Sequence, residues 1–229
     1  MEYMVKCSFC GVTYFVNSNS NNAKFSCVAC GAINGIDDIV EKITVQSKAV
    51  VDGDDEDIHF EYYLKAAKQG DAKAQFKIGV YYDKGKGVTQ DFVKAVEWYT
   101  KAAEQGYAKA QYNLGNSYYK GEGVKKDETI AVEWYTKAAE QGHAKAQFKL
   151  GVCYDKGIGV ANDELKAIEW YMKAAEQGHA KAQFNLGNSY YKGEGVKKDI
   201  KEAAKWYAKA AAQGHEKAQE KLIACTNML

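Results

Sequence analysis

Residues 110–145 read AQYNLGNSYYKGEGVKKDETIAVEWYTKAAEQGHAK, and residues 182–217 repeat that text with few changes as AQFNLGNSYYKGEGVKKDIKEAAKWYAKAAAQGHEK. Residues 74–109 and 146–181 are two further copies, so one 36-residue unit occurs four times without a gap. A fixed period of this length is typical of repeat proteins, in which each unit packs only on its neighbours. The period predicts a stacked solenoid, and such stacks usually present a binding surface rather than a reaction centre.

Within one repeat the residue pattern predicts two helices joined by a short loop. In the first copy, Ala74 and Tyr82 share one helical face, and Gly85 then provides a stop signal. Asp91 is a suitable N-cap for a second helix, which should end at Gly106. The same caps and stops return in the other copies, at Asp127, Asp163, Asp199, Gly121, Gly142, Gly157, Gly178, Gly193 and Gly214.

The small and aromatic residues of each copy are predicted to form the core. Gly79 and Ala102 should let neighbouring helices approach closely, and Trp98 and Tyr82 should fill the remaining gaps. The repeats are therefore interpreted first as a packing pattern, with these residues as core rather than as ligand sites.

Two unpaired cysteines and three repeating histidines could in principle bind a metal or react, but both sets are expected to have structural roles. Cys153 and Cys225 have no partner in the sequence pattern and are expected to be small residues within packed helices. His143, His179 and His215 recur once per repeat at the start of a first helix. Successive helix layers are about 10 Å apart, which is too far for shared metal coordination, so the histidines are expected to be polar turn residues.

These residues are similar to the Sel-one-like repeat, a relative of the tetratricopeptide repeat. The resemblance covers residues 60–229 and implies antiparallel helix pairs that stack into a right-handed superhelix. Many exported members of that family carry paired cysteines across each repeat, which this chain lacks, and this supports an intracellular location. The family pattern is met almost letter for letter at Ala110, Leu114, Gly115, Tyr118, Gly121, Gly123, Val124, Asp127, Ala131, Trp134, Tyr135, Lys137, Ala138, Ala139, Gln141 and Gly142.

Four cysteines near the N-terminus form two matched C-x-x-C-G motifs. They are Cys7, Cys10, Cys27 and Cys30, and a residue spacing of this kind lets a tight turn aim two thiolates at one ion. We interpret the set as a closed, structural zinc site in a zinc ribbon, without an open position for catalysis. Two disulfides in an exported protein, or an iron site like that of rubredoxin, are the alternatives.

The β-forming stretch 12–16 and the shorter stretch 23–26 are expected to pair as a hairpin that joins the two cysteine motifs. Together these features predict an all-α, right-handed α/α superhelical solenoid of helix pairs, preceded by a small β zinc-ribbon module. The ribbon is assigned to residues 1–45, an acidic linker to 46–57, and the solenoid to 58–229. The solenoid comprises a half repeat at 58–72, the four copies at 74–109, 110–145, 146–181 and 182–217, and a capping helix at 218–229, in which Ile223 replaces the Gly of the other first helices.

Composition narrows the range of functions. The formal net charge is +1, and all 31 basic residues are Lys. Arg is the usual bidentate reader of guanine and phosphate, so its absence disfavours sequence-specific nucleic-acid binding. The chain shows no signal-peptide pattern and no long apolar stretch, which predicts a cytoplasmic protein without a membrane partner.

A ladder of Lys and Asn residues is the candidate binding surface. The face of each first helix opposite the core is expected to line the concave side of the superhelix, where Lys attracts carboxylates and Asn binds an extended peptide backbone. The alternative is a solvated surface that the copies share by descent. The ladder consists of Lys73, Lys77, Lys109, Asn113, Asn116, Lys120, Lys145, Lys149, Lys181, Asn185, Asn188 and Lys192.

The sequence favours a protein-interaction scaffold that binds a protein or an acidic peptide and has a structural zinc module. No catalytic motif is present, so we expect neither an enzyme nor a small-molecule substrate. The first alternative is a regulator that contacts DNA or RNA through the zinc ribbon. The second is a redox carrier with iron at the four cysteines.

Overall fold

The computed structural model describes the backbone of residues 2–6, 13–17, 25–26, 33–34 and 55–228, and the side chains of residues 60–228. Residues 55–228 form an all-α solenoid in which each helix packs against the next one along the chain. The helices are α1 (Asp55–Lys68), α2 (Ala72–Lys84), α3 (Phe92–Glu104), α4 (Ala108–Lys120), α5 (Glu128–Glu140), α6 (Ala144–Lys156), α7 (Glu164–Glu176), α8 (Ala180–Lys192), α9 (Ile200–Ala211) and α10 (Glu216–Thr226).

Four short strands are described before the helices. β1 (Glu2–Lys6) pairs antiparallel with β2 (Thr13–Asn17), and β3 (Phe25–Ser26) pairs antiparallel with β4 (Ile33–Asn34). Both pairs differ from the predicted hairpin of stretch 12–16 with stretch 23–26, part of which lies outside the described residues, so that hairpin stays a prediction. A strand pairs most readily across a short connection, and in both pairs that connection is the one that contains a C-x-x-C motif.

The predicted zinc ligands lie outside the described residues. They are Cys7, Cys10, Cys27 and Cys30, and the linker up to residue 54 also lies outside. The helix α1 begins at Asp55, so the last acidic residues of the predicted linker lie in its first turn, where the helix dipole favours negative charge.

The predicted caps and stops are confirmed in every repeat. Asp91, Asp127, Asp163 and Asp199 each accept a hydrogen bond of 3.0 Å from a backbone N–H in the first turn of a second helix. The first helices α2, α4, α6 and α8 end at a Gly in the left-handed conformation, for example Gly85 at φ 65°. These backbone requirements fix the length of each helix.

The aromatic residue at the centre of each repeat is Tyr, rather than the Trp that precedes it. A Cβ atom added to Gly79 would lie 2.5 Å from the ring of Tyr99, so the glycine makes room for that ring. Tyr99 is buried, as are the equivalent tyrosines Tyr135, Tyr171 and Tyr207. The prediction that Gly79 permits a close approach is confirmed.

The prediction that Trp98 fills the core needs correction. Trp98 is only half-buried and packs against the hydrophobic cluster formed by α1 and α2, while the ammonium of Lys101 lies 4.4 Å from its ring centroid. Trp134 and Trp170 are also half-buried under Lys residues, and among these positions only Trp206 is buried. The indole spans the edge between two repeats, where one side faces solvent and favours a cation above the ring.

Buried glutamines join successive helices. Gln75 donates its side-chain amide to the carbonyl oxygen of Ala67 on the preceding second helix, at 3.1 Å. Its side-chain oxygen accepts from Gln105, at the end of the second helix of its own repeat, at 2.7 Å. The same two bonds recur at Gln111, Gln147 and Gln183.

Two of the three repeating histidines cap a first helix with their side chains, which agrees with their expected role at turns. Nδ1 of His143 accepts from the N–H of Ala146 at 3.2 Å, and Nδ1 of His179 accepts from Ala182 at 3.3 Å. His215 stacks on an aromatic ring at 4.5 Å between centroids, but its buried Nδ1 has no hydrogen-bond partner among the described residues.

Cys153 and Cys225 are buried within helix packing, as the sequence predicts. Burial raises the pKa of the Cys153 thiol to about 11, so the thiol stays protonated at neutral pH. Ile223 of α10 is 62% exposed, and no helix of the described residues covers it.

Candidate functional site

The first helices α2, α4, α6 and α8 form a continuous surface, which we call the first-helix face. Side chains on this face connect neighbouring first helices directly. The ammonium of Lys149 on α6 lies 5.2 Å from the ring centroid of Tyr119 on α4, and that of Lys221 on α10 lies 5.3 Å from the ring of Tyr191 on α8. A partner that follows this face would therefore meet one repeat after another.

A pocket of about 210 Å³ opens on the first-helix face between α2 and α4. We call it pocket 1. Side chains from both helices, from the following loop and from α3 line it, and most of them are polar. The lining residues are Val80, Asp83, Lys84, Tyr99, Asn113, Asn116, Ser117, Lys120 and Glu122.

The hydroxyl of Tyr99 is a buried polar group of a residue that lines pocket 1. This hydroxyl is buried, because Tyr99 as a whole is only 2% exposed, and it makes no hydrogen bond within 3.5 Å among the described residues. Burial and the nearby Asp83 carboxylate raise the pKa of Tyr99, so the group remains a neutral hydroxyl. An unpaired buried hydroxyl is costly, and a ligand group that paired with it would remove that cost.

Two asparagines of α4 provide the amide groups of pocket 1. Oδ1 of Asn116 accepts a hydrogen bond of 2.8 Å from the hydroxyl of Tyr135, which leaves the amide N–H groups of Asn116 as donors. Asn113 and Asn116 are both half-buried, so they are held in place and still reach the surface. Ser117 donates to the backbone carbonyl of Asn113 at 3.3 Å.

The charges around pocket 1 are balanced. Lys84 forms an ion pair with Asp83 at 3.3 Å, and Lys120 forms one with Glu122 at 3.2 Å. Two positive and two negative groups therefore surround the amides and the hydroxyl. The arrangement suits a polar but uncharged ligand such as peptide main chain, whose N–H and C=O groups match Asp, Asn and Tyr.

The structure separates the predicted Lys and Asn ladder into three groups. Asn113, Asn116 and Lys120 line pocket 1, and Asn185, Asn188 and Lys192 hold the equivalent positions on α8. Lys77 and Lys149 are half-buried and lie over tyrosine rings, and burial lowers the pKa of Lys149. Lys73, Lys109, Lys145 and Lys181 are exposed near the starts of the first helices and do not line pocket 1.

Sequence reasoning missed Tyr99 and Asp83 as pocket residues. Tyr99 follows Trp98 directly, and its ring packs against Gly79 while the residue also lines the pocket. The sequence carries one signal for Asp83. At the repeat position that it occupies, Asp and Tyr alternate from copy to copy, as Asp83, Tyr119, Asp155 and Tyr191.

Two kinds of functional feature are absent from the described part of the chain. No cluster of three or more His, Cys, Asp or Glu side chains there is arranged to hold a metal ion. No helix within it has the length and apolar character needed to cross a membrane.

Comparison with known proteins identifies the repeat. The model of the Sel1 repeat matches residues 60–71, 72–107, 108–143, 144–179 and 180–215, which together make up more than half of the chain. A search of curated proteins found no match.

Two solved structures are similar to the chain. A Sel1 repeat protein from Oxalobacter formigenes shares 42% identity over 72% of this chain, with a TM-score of 0.67. The protective antigen c5321 of uropathogenic Escherichia coli, which displays an SLR fold, shares 43% identity over 69% of this chain, with a TM-score of 0.68. The matches span 66% and 34% of those two proteins.

Proposed function

The chain belongs to the Sel1 repeat family, and from that premise we propose that it is a scaffold that binds an extended segment of a partner protein along the first-helix face. Sel1 repeat proteins generally serve as protein–protein interaction scaffolds. A scaffold of this kind catalyses no reaction and needs no small-molecule substrate.

Pocket 1 is the observation that carries this proposal. It combines the unpaired buried hydroxyl of Tyr99 with the half-buried amides of Asn113 and Asn116. A peptide carbonyl can accept from Tyr or Asn, and a peptide N–H can donate to Asp83 or to Asn113. Because these contacts use main-chain groups, they favour an extended segment whose backbone is not already paired in a helix or sheet.

The exposed lysines of the ladder extend the proposal to an acidic partner segment. Among the described residues, no ion pair occupies the four lysines near the starts of the first helices. Carboxylates of a partner bound in the pocket region would pair with them in a salt-dependent manner. These four residues are Lys73, Lys109, Lys145 and Lys181.

Affinity capture from a cell extract, followed by mass spectrometry, tests the scaffold function. The full chain is compared with an Asn113→Ala/Asn185→Ala variant and with Asn227→Ala, a matched control at the exposed end of α10. We expect a partner that the wild-type chain and the control retain and the double variant loses. Equal recovery by all three proteins would contradict binding along the first-helix face.

A structural zinc ion at Cys7, Cys10, Cys27 and Cys30 is the second part of the proposal. Four thiolates in two C-x-x-C-G motifs suit tetrahedral zinc and leave no open coordination position. Support also comes from the strand pairs β1–β2 and β3–β4, because each pair is joined by a segment that contains one motif. When bound, zinc would stabilise a segment too short to bury a sufficient core.

Elemental analysis of the purified full chain tests the zinc assignment. We expect one zinc per chain and its loss in a Cys7→Ser/Cys30→Ser variant. Iron with a visible colour would instead favour the redox carrier, and a metal-free chain without free thiols at these positions would favour disulfides. A salt-sensitive gel shift with DNA or RNA that the variant loses would favour the nucleic-acid regulator.

A further inference from the structure

We infer that the chain has two equivalent binding pockets, pocket 1 between α2 and α4 and a second one between α6 and α8, and that both bind main chain of one extended partner segment. The inference rests on the proposed scaffold function and adds the number, position and chemistry of the sites. We call the second site pocket 2.

Every residue that lines pocket 1 recurs unchanged 72 positions later. The polar residues of pocket 2 that the argument uses are Asp155, Tyr171, Asn185, Asn188, Lys192 and Glu194. Residues 74–145 and 146–217 differ at 19 of 72 positions, so the two halves have diverged, but none of the nine lining residues has changed. Substitutions such as Val93 to Leu165 and Glu128 to Ile200 fall on the second helices.

The intervening position, between α4 and α6, has different chemistry. There Tyr119 replaces Asp83, and Val152 replaces Asn116. The ring of Tyr119 lies under the half-buried ammonium of Lys149, at 5.2 Å. The pocket chemistry therefore has a period of two repeats, whereas the helix pairing has a period of one repeat.

Pocket 2 repeats the asparagine hydrogen bond of pocket 1 and differs from it at the tyrosine hydroxyl. Oδ1 of Asn188 accepts from the hydroxyl of Tyr207 at 2.7 Å, as Asn116 accepts from Tyr135 in pocket 1. The Tyr171 hydroxyl donates to Asp155 at 3.3 Å, whereas the corresponding hydroxyl of pocket 1 is unpaired. Both pockets thus present a neutral hydroxyl beside a carboxylate and asparagine amides.

The charge balance is also repeated. Lys192 forms an ion pair with Glu194 at 3.2 Å, which matches the pair of Lys120 with Glu122 at 3.2 Å. Neither pocket has a surplus of positive charge to attract a phosphate or a carboxylate. Peptide N–H and C=O groups, which are polar and uncharged, are the ligand groups that fit both sites.

The separation of the pockets sets the spacing that a partner needs. Packed helices lie about 8–10 Å apart, so equivalent points two repeats apart are separated by about 20 Å. An extended chain advances about 3.3 Å per residue, so two bound stretches on one segment would be centred about six residues apart. Occupying both pockets at once would strengthen binding through a high effective concentration of the second stretch.

The probes are peptides from a phage-displayed library of random dodecapeptides. They are selected by their binding to the immobilised full chain. Isothermal titration calorimetry then measures each selected peptide, and a fragment containing half of it, against wild type, Asn113→Ala, Asn185→Ala and the double variant. We expect a stoichiometry of one intact peptide per chain and of two fragments per chain. Each single variant should bind one fragment and lose at least about tenfold in affinity for the intact peptide.

Other results would overturn the inference. One fragment per wild-type chain, or loss of binding in only one of the two single variants, would show that the pockets are not equivalent. Peptides that bind the double variant as tightly as wild type would also refute it, but would leave the scaffold function standing. Circular dichroism and the Asn227→Ala control exclude misfolding as the cause of any loss. If the chain enriches no peptide and captures no partner, the scaffold function fails together with the inference.

Discussion

Gln105 donates its side-chain amide to the side-chain oxygen of Gln75 across 2.7 Å, although 30 residues separate the two in the chain. Gln75 in turn donates to the carbonyl of Ala67, so one buried glutamine links three successive helices. The arrangement recurs in all four repeats and satisfies polar groups that helix packing has removed from water.

Replacing one of these glutamines should destabilise the solenoid. In Gln147→Leu the carbonyl of Ala139 and the amide of Gln177 would lose their partner. We expect the free energy of unfolding to fall by about 1–3 kcal/mol, measured by urea denaturation. Gln219 holds the same repeat position in α10 but is exposed, so Gln219→Leu should change stability by less than about 0.5 kcal/mol. Equal losses in both variants would contradict the role of the glutamine links.

Adding a methyl group at the close helix contact should also destabilise the fold. A Cβ at Gly151 would lie 2.6 Å from the buried ring of Tyr171. Overpacking of this kind typically costs about 1–3 kcal/mol and offsets the gain of about 1 kcal/mol from the better helix propensity of Ala. Thermal unfolding of Gly151→Ala should show a lower midpoint than wild type. Ile223→Ala, at the same repeat position on α10, is the control and should leave the midpoint nearly unchanged, because Ile223 is exposed.

Much of this architecture could be predicted from the sequence, because the signals are local. Helix period, the Asp caps and the Gly stops each depend on residues within one turn, and the structure confirms them. The sequence could not show that Tyr99, rather than Trp98, fills the core. The two residues are adjacent at the edge of one helix face, and only the packing of the neighbouring helices decides which ring is buried.

Pocket 1 was only partly predictable. Asn113 and Asn116 could be identified because they share one side of α4 and recur in a later copy as Asn185 and Asn188. Asp83 and the Tyr99 hydroxyl join them only through the lateral placement of α2 beside α4, which no local pattern specifies.

Acidification should weaken the fold through the histidine caps. Burial, followed by the charge of nearby lysines, lowers the pKa of His143 and of His179 below the ordinary value of 6.5. The unfolded chain therefore takes up protons first, and stability that is fully present above pH 6.5 is lost as the pH falls toward the lower pKa of the folded state. Unfolding midpoints measured between neutral pH and pH 5 should decrease.

The first repeat suggests the control for this pH effect. Asp71 caps α2 with a hydrogen bond of 2.6 Å to the N–H of Ala74, at the position that His143 and His179 hold in later repeats. A His143→Asp/His179→Asp variant should keep both caps and show a smaller loss of stability over the same pH range. An unchanged pH dependence would assign the effect to other groups.

The lysines above the tryptophans should contribute modestly to stability. The ammonium of Lys137 lies 4.0 Å from the ring centroid of Trp134. In Lys137→Met, we expect a loss of about 0.5–1 kcal/mol and a change in tryptophan fluorescence. Lys125, an exposed loop residue, provides the matched Lys→Met control. A fluorescence spectrum identical to wild type would contradict the contact.

Lysine cross-linking of the captured complex, read by mass spectrometry, tests binding along the first-helix face most directly. The chain carries lysines on both kinds of helix, so the cross-links report which side the partner covers. We predict that they concentrate on Lys77, Lys120, Lys149 and Lys192 of the first helices. Cross-links confined to Lys101, Lys137 and Lys173 of the second helices would contradict the proposed surface.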